Sequence, residues 1–329
     1  MVIKKLFGQT SDGKHVYAYT IKNRSGITVT VLDYGATLQS VVLPHKGKHL
    51  DIVLGYDTLE EYMLNDGYLG ASIGRYAGRI PDAKLMIGNE AFPVTANEGK
   101  NQLHGGRIGF SHRIWFAKHT KNAVCFDILS PDGDEGYPGM ARFYAIYTLK
   151  RNKLMITYRV ESDRISAWNP TNHAYWNLDG HDAGDARMHR LELPADRYVP
   201  VGPDMIPTGD EADVSGTRFD FRTIRKIDGA YDHNFVLHKG PIRLYGSSGV
   251  GMEITTDCTA VQFYTAEFLS ERKGKKGAAY GPFGAVCLET EGRQAQRNKP
   301  IADENVLSRP GSRKSRKTTY CFIIKENEK

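Results

Sequence analysis

Residues 169–178, Asn-Pro-Thr-Asn-His-Ala-Tyr-Trp-Asn-Leu, place one imidazole, His173, among three asparagine amides, a threonine hydroxyl and two large aromatic rings. Amides and hydroxyls hydrogen-bond the hydroxyls of a sugar, an aromatic face covers the apolar side of a pyranose, and histidine exchanges a proton near neutral pH. A capped turn around a buried histidine explains the same residues, and for a lone histidine that account is preferred. Asn172 and Asn177 read as turn and support amides, and Trp176 as a wall beside a sugar or a core residue.

Four other polar clusters have to be weighed with this run. Arg79, in Gly74–Ile80, can donate a fork of hydrogen bonds to neighbouring hydroxyls without changing protonation, although an arginine at a strand end is usually surface. His104 is followed by Gly105 and Gly106, which permit a close backbone approach to a ligand or a positive-φ turn. Asp232, just before a strand, can accept from hydroxyls or simply form an Asx-turn. Glu289 closes the apolar run Ala285–Leu288, and strand alternation puts it on the same face as Cys287 and opposite Leu288. Two histidines, two carboxylates and an arginine suit general acid–base chemistry on a sugar, in which each proton transfer typically supplies about 10²–10⁴-fold. No His-Glu-x-x-His or other close histidine pair suggests a metal, and Gly246–Gly251 lacks the Gly-Lys-Ser/Thr ending of a nucleotide loop. Neither a metal nor a cofactor is expected.

The elements that must position these groups read as strands. The chain has 329 residues, 40% hydrophobic and 25% charged, an ordinary globular composition with enough length for a large core. Short strand-like runs follow one another: His15–Lys22, Ile27–Tyr34, Thr37–Leu43 and Asp51–Tyr56, then hairpins within residues 83–94 and 113–129. Phe143, Ala145, Tyr147 and Leu149 form one face of a ribbon whose return strand presents Leu154, Ile156, Tyr158 and Val160. Further strands are expected at Leu191–Val201, Asn234–His238, Ile242–Tyr245, Met252–Thr256, Val261–Ala266, Ala285–Thr290 and Thr318–Lys325. Only Thr58–Met63 invites a helical turn, with Thr58 as N-cap and Glu61 completing a capping box. The expected fold is therefore all-β, a large antiparallel β-sandwich with few short helices, and without linker or repeat it is read as one domain over residues 1–329.

Net charge is +6, with basic residues concentrated at 271–276 and 309–317. Both segments read as solvated loops, the stretch 271–281 as a mobile one, and no aromatic residues interleave them as a nucleic-acid surface would require. No nucleic-acid or membrane partner is expected. The first residues carry charge without an apolar signal region, so a cytoplasmic location is expected. Cys125, Cys258, Cys287 and Cys321 are far apart and read as reduced core cysteines.

Taken together, Asp33–Ala36, Val53–Asp57, Gly74–Ile80, Asn101–Gly106, Pro131–Gly139, Asn169–Leu178, Gly216–Arg222, Asp232-His233 and Leu288-Glu289 resemble, in order and over nearly the whole chain, the aldose 1-epimerase (galactose mutarotase) family. The resemblance implies a galactose mutarotase-like β-sandwich that interconverts the α and β anomers of a free aldose such as galactose or glucose, without a cofactor. By matching positions, Glu289 corresponds to the base that takes the proton of the anomeric hydroxyl and His173 to the acid that protonates the ring oxygen. His104 corresponds to a second histidine near that oxygen, and Arg79, Asp232 and Gln262 to groups that hold sugar hydroxyls. A nearby carboxylate, Asp232 or Glu289, is expected to raise the His173 pKa. Gly78 stands where many members carry asparagine, so a substrate hydrogen bond there is missing or replaced. Two alternatives stay open: an epimerase for a phosphorylated hexose using the basic segment at Arg309–Lys317, and a sugar-binding protein that kept the fold without catalysis.

Overall fold

The computed structural model describes residues 1–64 and 66–324. Its strands assemble into antiparallel sheets, three of them large. The N-terminal residues form a five-stranded meander, Val2–Gln9, His15–Lys22, Thr28–Leu32, Thr37–His45 and Lys48–Asp51, each strand beside its sequence neighbour. A nine-stranded sheet is centred on Ala141–Lys150, Lys153–Ser162, Arg313–Ile324 and Val250–Thr256. A six-stranded sheet runs in the order Tyr175–Trp176, Val286–Glu291, Ala260–Tyr264, Asp232–Val236, Arg197–Val199 and Ala212–Asp213.

Period-two alternation builds the core. In the central ribbon Phe143, Ala145, Tyr147 and Leu149 are buried, as are Leu154, Ile156, Tyr158 and Val160 across from them, on the face that the alternation predicts. They pack with Val29 and Val31 of the meander and with Phe235, Val261, Val286 and Leu288 of the six-stranded sheet in one apolar cluster. The all-β sandwich is thus the observed fold, and the single α-helix among the described residues is Leu59–Met63. There the Glu61 amide donates to Thr58 Oγ1 (3.3 Å) while the Thr58 amide donates to Glu61 Oε2 (3.1 Å), the capping box read from the sequence. No helix among the described residues is long and apolar enough to cross a membrane. Gly246–Gly251 belongs to a hairpin, with the Gly246 amide donating to the Val250 carbonyl at 2.9 Å.

Several expected elements differ. The run 191–201 is two strands, Arg190–Glu192 in the nine-stranded sheet and Arg197–Val199 in the six-stranded one. Pro194 lies between them, where a residue without an amide hydrogen cannot continue a ladder. Strand pairing ends at Asp51 rather than running to Tyr56, because 52–56 turns toward Tyr175 and Trp176. The second basic segment is a loop only at 309–312: from Arg313 it enters the strand Arg313–Ile324, whose basic residues pair with Lys153–Ser162, and Lys325 lies outside the described residues. Buried Arg316 donates to Asn169 Oδ1 at 2.8 Å and covers the Trp168 ring. The first basic segment is fastened as well, since Lys275 is buried with its Nζ 2.6 Å from Asp51 Oδ2.

Candidate active site

A cleft of about 430 Å³ opens on one face of the six-stranded sheet. Cross-strand partners share a face, so register decides what enters it. Glu289 stands opposite Gln262, and Gln262 opposite Asn234, giving a polar row across three strands. Two residues along, Tyr175, Cys287, Tyr264 and Asp232 form a parallel row. Intervening Val286, Leu288 and Phe263 point into the core. Strand alternation therefore placed Glu289 with Cys287 and apart from Leu288, as the geometry has it.

His173 reaches this face from a different direction. Thr171-Asn172 pairs with Ser72-Ile73, the His173 amide donates to the Ala71 carbonyl, and the Gly70 amide donates back to the His173 carbonyl, both at 2.9 Å. Beneath it Asn172 Nδ2 donates to the Gly70 carbonyl (2.8 Å) and Asn177 Nδ2 to that of Gly184 (2.8 Å), so both amides brace the backbone. The imidazole stacks with Tyr175 at 5.0 Å and with Tyr68 at 6.1 Å between ring centres. Its Nε2 lies 3.6 Å from Glu289 Oε1, and its Nδ1 lies 3.6 Å from Cys287 Sγ.

The His104 ring meets that of His173 edge-on, with centres 5.3 Å apart. The Gly78 amide donates to His104 Nδ1 at 3.2 Å, which leaves the proton of the neutral ring on Nε2. Positive φ continues from His104 (52°) through Gly105 (88°) and Gly106 (102°). A Cβ at Gly105 would sit 1.9 Å from the Gly74 carbonyl oxygen, so the turn requires glycine there. The 131–139 loop supports this turn: Glu135 accepts from the Arg107 and Ile108 amides, at 3.2 and 2.9 Å. Arg75 is spent on the same loop, donating to the Ser130 and Pro131 carbonyls, whereas Arg79 lines the cleft.

Glu98 already engages one edge of the Arg79 fork, accepting from Nε and Nη2 at 2.7 Å each. Asp232 Oδ1 accepts from Gln262 Nε2 at 2.6 Å. The structure thus brings together Glu289, His173, His104, Arg79, Asp232, Gln262 and Gly78. Trp176 is not among them. Paired with Val286, it turns to the core side and packs against Tyr320 (5.0 Å) and Phe322, so the aromatic residue of this strand that faces the cleft is Tyr175. Counting by twos from His173 reaches Tyr175, and from Glu289 it reaches Glu291; that signal was present in the sequence. Tyr68, Glu98 and Gln294 also line the cleft from loops, and Arg272 from the two-residue strand Arg272–Lys273, where no period announces them.

Burial governs protonation here. It pushes the His173 pKa down to about 4 and that of His104 well below the usual imidazole range, with His173 adding to the effect on His104. The expectation that a carboxylate raises the His173 pKa is overturned. The nearest carboxyl, Glu289, is itself held well above its ordinary range by burial and then by Glu291 and Asp232, so it offers little negative charge. Burial thus favours a carboxylic acid beside a neutral imidazole, 3.6 Å apart. Moving one proton from the first to the second exchanges their acid and base roles.

The donor atoms of His173, Cys287 and Glu289 lie within 4.8 Å of one another. Sulfur approaches Nδ1 and the carboxyl approaches Nε2, so a tetrahedral ion would have to draw both round to one nitrogen. All four cysteines are free, and Cys287, the buried one, lies on the same strand face as Glu289 but packs with Tyr175 and Tyr264 in an apolar cluster behind the cleft wall.

Residues 17–321 match the family described as Aldose 1-epimerase. The chain is 34% identical to the galactose mutarotase of Mus musculus over 340 residues, covering 98% of this chain and 99% of that one. It is 35% identical to the aldose 1-epimerase of Escherichia coli (strain K12) over 336 residues, or 95% and 96% of the two chains. The GalM/aldose epimerase homologue from C. elegans superposes with a TM-score of 0.87 at 31% identity, over 93% of this chain and 98% of that one. Galactose 1-epimerase from Lactobacillus acidophilus NCFM gives 0.86 at 26% identity, over 98% of each.

Proposed function

The chain belongs to the aldose 1-epimerase family, and on that premise we propose that it interconverts the α and β anomers of a free hexose or pentose, galactose and glucose being the first sugars to try. The observation that carries the mechanism is the pairing of His173 Nε2 with Glu289 Oε1 at 3.6 Å, in a cleft large enough for one monosaccharide. Glu289 takes the proton of the anomeric hydroxyl while His173 protonates the ring oxygen. The ring C–O bond breaks and the anomeric carbon becomes an aldehyde. After rotation about the C1–C2 bond, the freed hydroxyl attacks the other carbonyl face with the two roles reversed. No proton is gained or lost over the cycle, and no cofactor enters it.

For Glu289 to act as base, the proton that burial favours on it must pass to His173 Nε2 as sugar binds. Hydroxyls that donate to the carboxylate replace the water lost on burial and favour this transfer. His104 stays neutral and donates from Nε2, which makes it a hydrogen-bond donor to the ring oxygen rather than a second acid. Arg79, Asp232 and Gln262 hold other hydroxyls, and Tyr68, Tyr264 and Phe268 offer ring faces.

Cleft charge favours a neutral sugar over a phosphorylated one. The cations that line the cleft are Arg79 and Arg272, and both are already engaged, by Glu98 at 2.7 Å and Asp66 at 2.6 Å, which leaves a phosphate no free partner among the described residues. The basic run 309–317 lies elsewhere, in a turn at 309–312 and the start of the strand Arg313–Ile324 of the nine-stranded sheet. Polarimetry of freshly dissolved α-D-galactose and α-D-glucose tests the reading: wild-type protein accelerates the approach to anomeric equilibrium above buffer. A rate equal to buffer with every free aldose tried, together with saturable sugar binding, would identify a binding protein instead.

A further inference from the structure

Glu291 is a buried carboxyl that the mechanism above does not use. It lies two residues beyond Glu289 on the same strand and the same face, about 6.6 Å further along. Its Oε1 accepts from Asn234 Nδ2 and from Gln294 Nε2, both at 2.9 Å. Gln294 Nε2 also donates to Gln262 Oε1 at 3.2 Å, and Gln262 in turn donates to Asp232. Gly78 faces this chain of amides. Its φ is +80°, and a Cβ built there would meet the Gln294 amide at 2.6 Å, so Gln294 fills the space that a side chain at 78 would take. The loop carrying Gln294 is fastened on either side: the Gly292 amide donates to Asn169 Oδ1 (2.8 Å), and the Arg293 carbonyl accepts from Tyr76 (3.2 Å). Among the described residues, Glu291 Oε2 and Gln294 Oε1 make no hydrogen bond, and both residues line the cleft.

We propose that Glu291 and Gln294 together read one hydroxyl of the bound aldose other than the anomeric one, and so set which free sugar the cleft prefers. The inference rests on the mutarotase reading and deepens it. The separation from Glu289 places the pair across a sugar ring from the reacting carbon. One oxygen of each residue is left unpaired, the two side chains are joined by the bond from Gln294 Nε2 to Glu291 Oε1, and the amide network holds both in place. Burial, opposed by the two amide hydrogen bonds, pushes the Glu291 carboxyl up to about 8. It therefore carries a proton at neutral pH and offers an O–H donor beside the Gln294 carbonyl acceptor, and a sugar hydroxyl can satisfy both at once. Because the pair does not touch the anomeric oxygen, its contribution is to binding rather than to proton transfer.

The test is steady-state anomerisation of glucose, galactose and a set of glucose analogues each lacking one hydroxyl, with wild type, Gln294→Ala, Glu291→Ala and Glu291→Gln. Gln294→Ala and Glu291→Ala should each raise KM for the preferred sugar by about ten-fold, with kcat within about two-fold. For one analogue, the same for both variants, that penalty should vanish, since the hydroxyl being read is already gone. Glu291→Gln, which keeps an acceptor for the two amides and a donor for the sugar, should retain wild-type selectivity near neutral pH. An equal rise in KM across every analogue, or a fall confined to kcat, overturns the proposal in favour of a role in holding Glu289. If wild type equilibrates no anomers at all, the mutarotase reading itself fails, and the reading of a substrate hydroxyl fails with it. An active wild type whose variants show no analogue dependence sinks this inference alone.

Discussion

Two buried pairs of ionisable groups, in different parts of the molecule, handle the same problem in opposite ways. Lys275 and Asp51 have side chains 3% and 10% exposed, and their charges meet at 2.6 Å, with a further bond from Lys275 to the Gln39 carbonyl. His173 and Glu289 are as deeply buried, at 6% and 4%, yet they stand 3.6 Å apart, and each is driven toward its neutral form. The first pair fastens the 272–280 segment to the meander and uses two of the three Lys275 donors in doing so. In the second, capacity is left over that only a ligand can use. Burial alone does not mark a functional group; burial with unfilled bonding does.

Removing one member of each pair separates the two cases. Glu289→Gln should lower kcat by about 10²–10⁴-fold, the ordinary value of one proton-transfer group, and leave the fold intact. Because the wild-type carboxyl is an uncompensated buried acid, the variant should also be no less stable than wild type above about pH 5, where its ordinary range begins. Stopped-flow polarimetry and urea unfolding read the two effects separately. A variant with wild-type kcat would remove Glu289 from the base role.

Lys275→Ala should do the reverse. Leaving Asp51 buried without its cation costs about 3–5 kcal/mol, eased by the weaker hydrogen bonds that Asp51 receives from the Val41 and Val53 amides. Folded protein should retain kcat within a few-fold, although Arg272, three residues earlier, lines the cleft, so some rise in KM is consistent with the contrast. Unchanged urea stability would mean that the anchor is dispensable.

The contrast was only partly open to sequence reading, and for a physical reason. Periodicity of two reports faces, so it found the ribbon at 141–162, the hairpins and the cleft side of Glu289. The same rule, carried two residues on from His173 and Glu289, reaches Tyr175 and Glu291, and it decides for Trp176 between sugar wall and core in favour of the core. Partners supplied by loops have no such signature. Glu98 reaches Arg79 and Gln294 reaches Gln262 through turns whose course is set by tertiary contacts, and the lysines and arginines at 271–276 look alike until packing buries one and directs another to the cleft. Nor does residue type reveal a pKa: beside a carboxyl the His173 pKa was expected to rise, but desolvation decides the sign.

Proton linkage measures how far the cleft departs from ordinary pairing. Glu291 has a folded pKa of about 8 against an ordinary 4.5, so the folded state holds that proton longer than the unfolded chain does. Its contribution to stability is complete below pH 4.5, is lost as pH rises from 4.5 to 8, and changes no further above. His173, at about 4 against 6.5, has the opposite sign: its contribution is complete above pH 6.5 and is lost as pH falls toward 4. Glu291→Gln should therefore flatten the decline in urea stability on the alkaline side, and His173→Asn the decline on the acid side. Slopes unchanged from wild type in both variants would mean that neither group is held neutral by burial.

The smallest effect expected comes from Cys287, whose sulfur lies 3.6 Å from His173 Nδ1 on the side away from Glu289. Burial, with Glu289 nearby, holds its thiol far above the usual range, so it stays protonated, and its sulfur can accept a weak hydrogen bond from Nδ1–H. With Nδ1 occupied as a donor, the neutral tautomer turns a bare Nε2 toward Glu289, ready to take the proton that the ring oxygen must receive. Cys287→Ala removes that bias and should lower kcat by about three- to ten-fold with KM unchanged, while Cys287→Ser, whose hydroxyl accepts more strongly, should keep most of the rate. A loss shared equally by Ala and Ser would trace to packing against Tyr175 and Tyr264. A change in KM alone would mean that the thiol touches the sugar and not the tautomer. Either result would leave His173 oriented by its backbone clamp and its stacked tyrosines, and would make the contrast with the ion-paired Lys275 sharper.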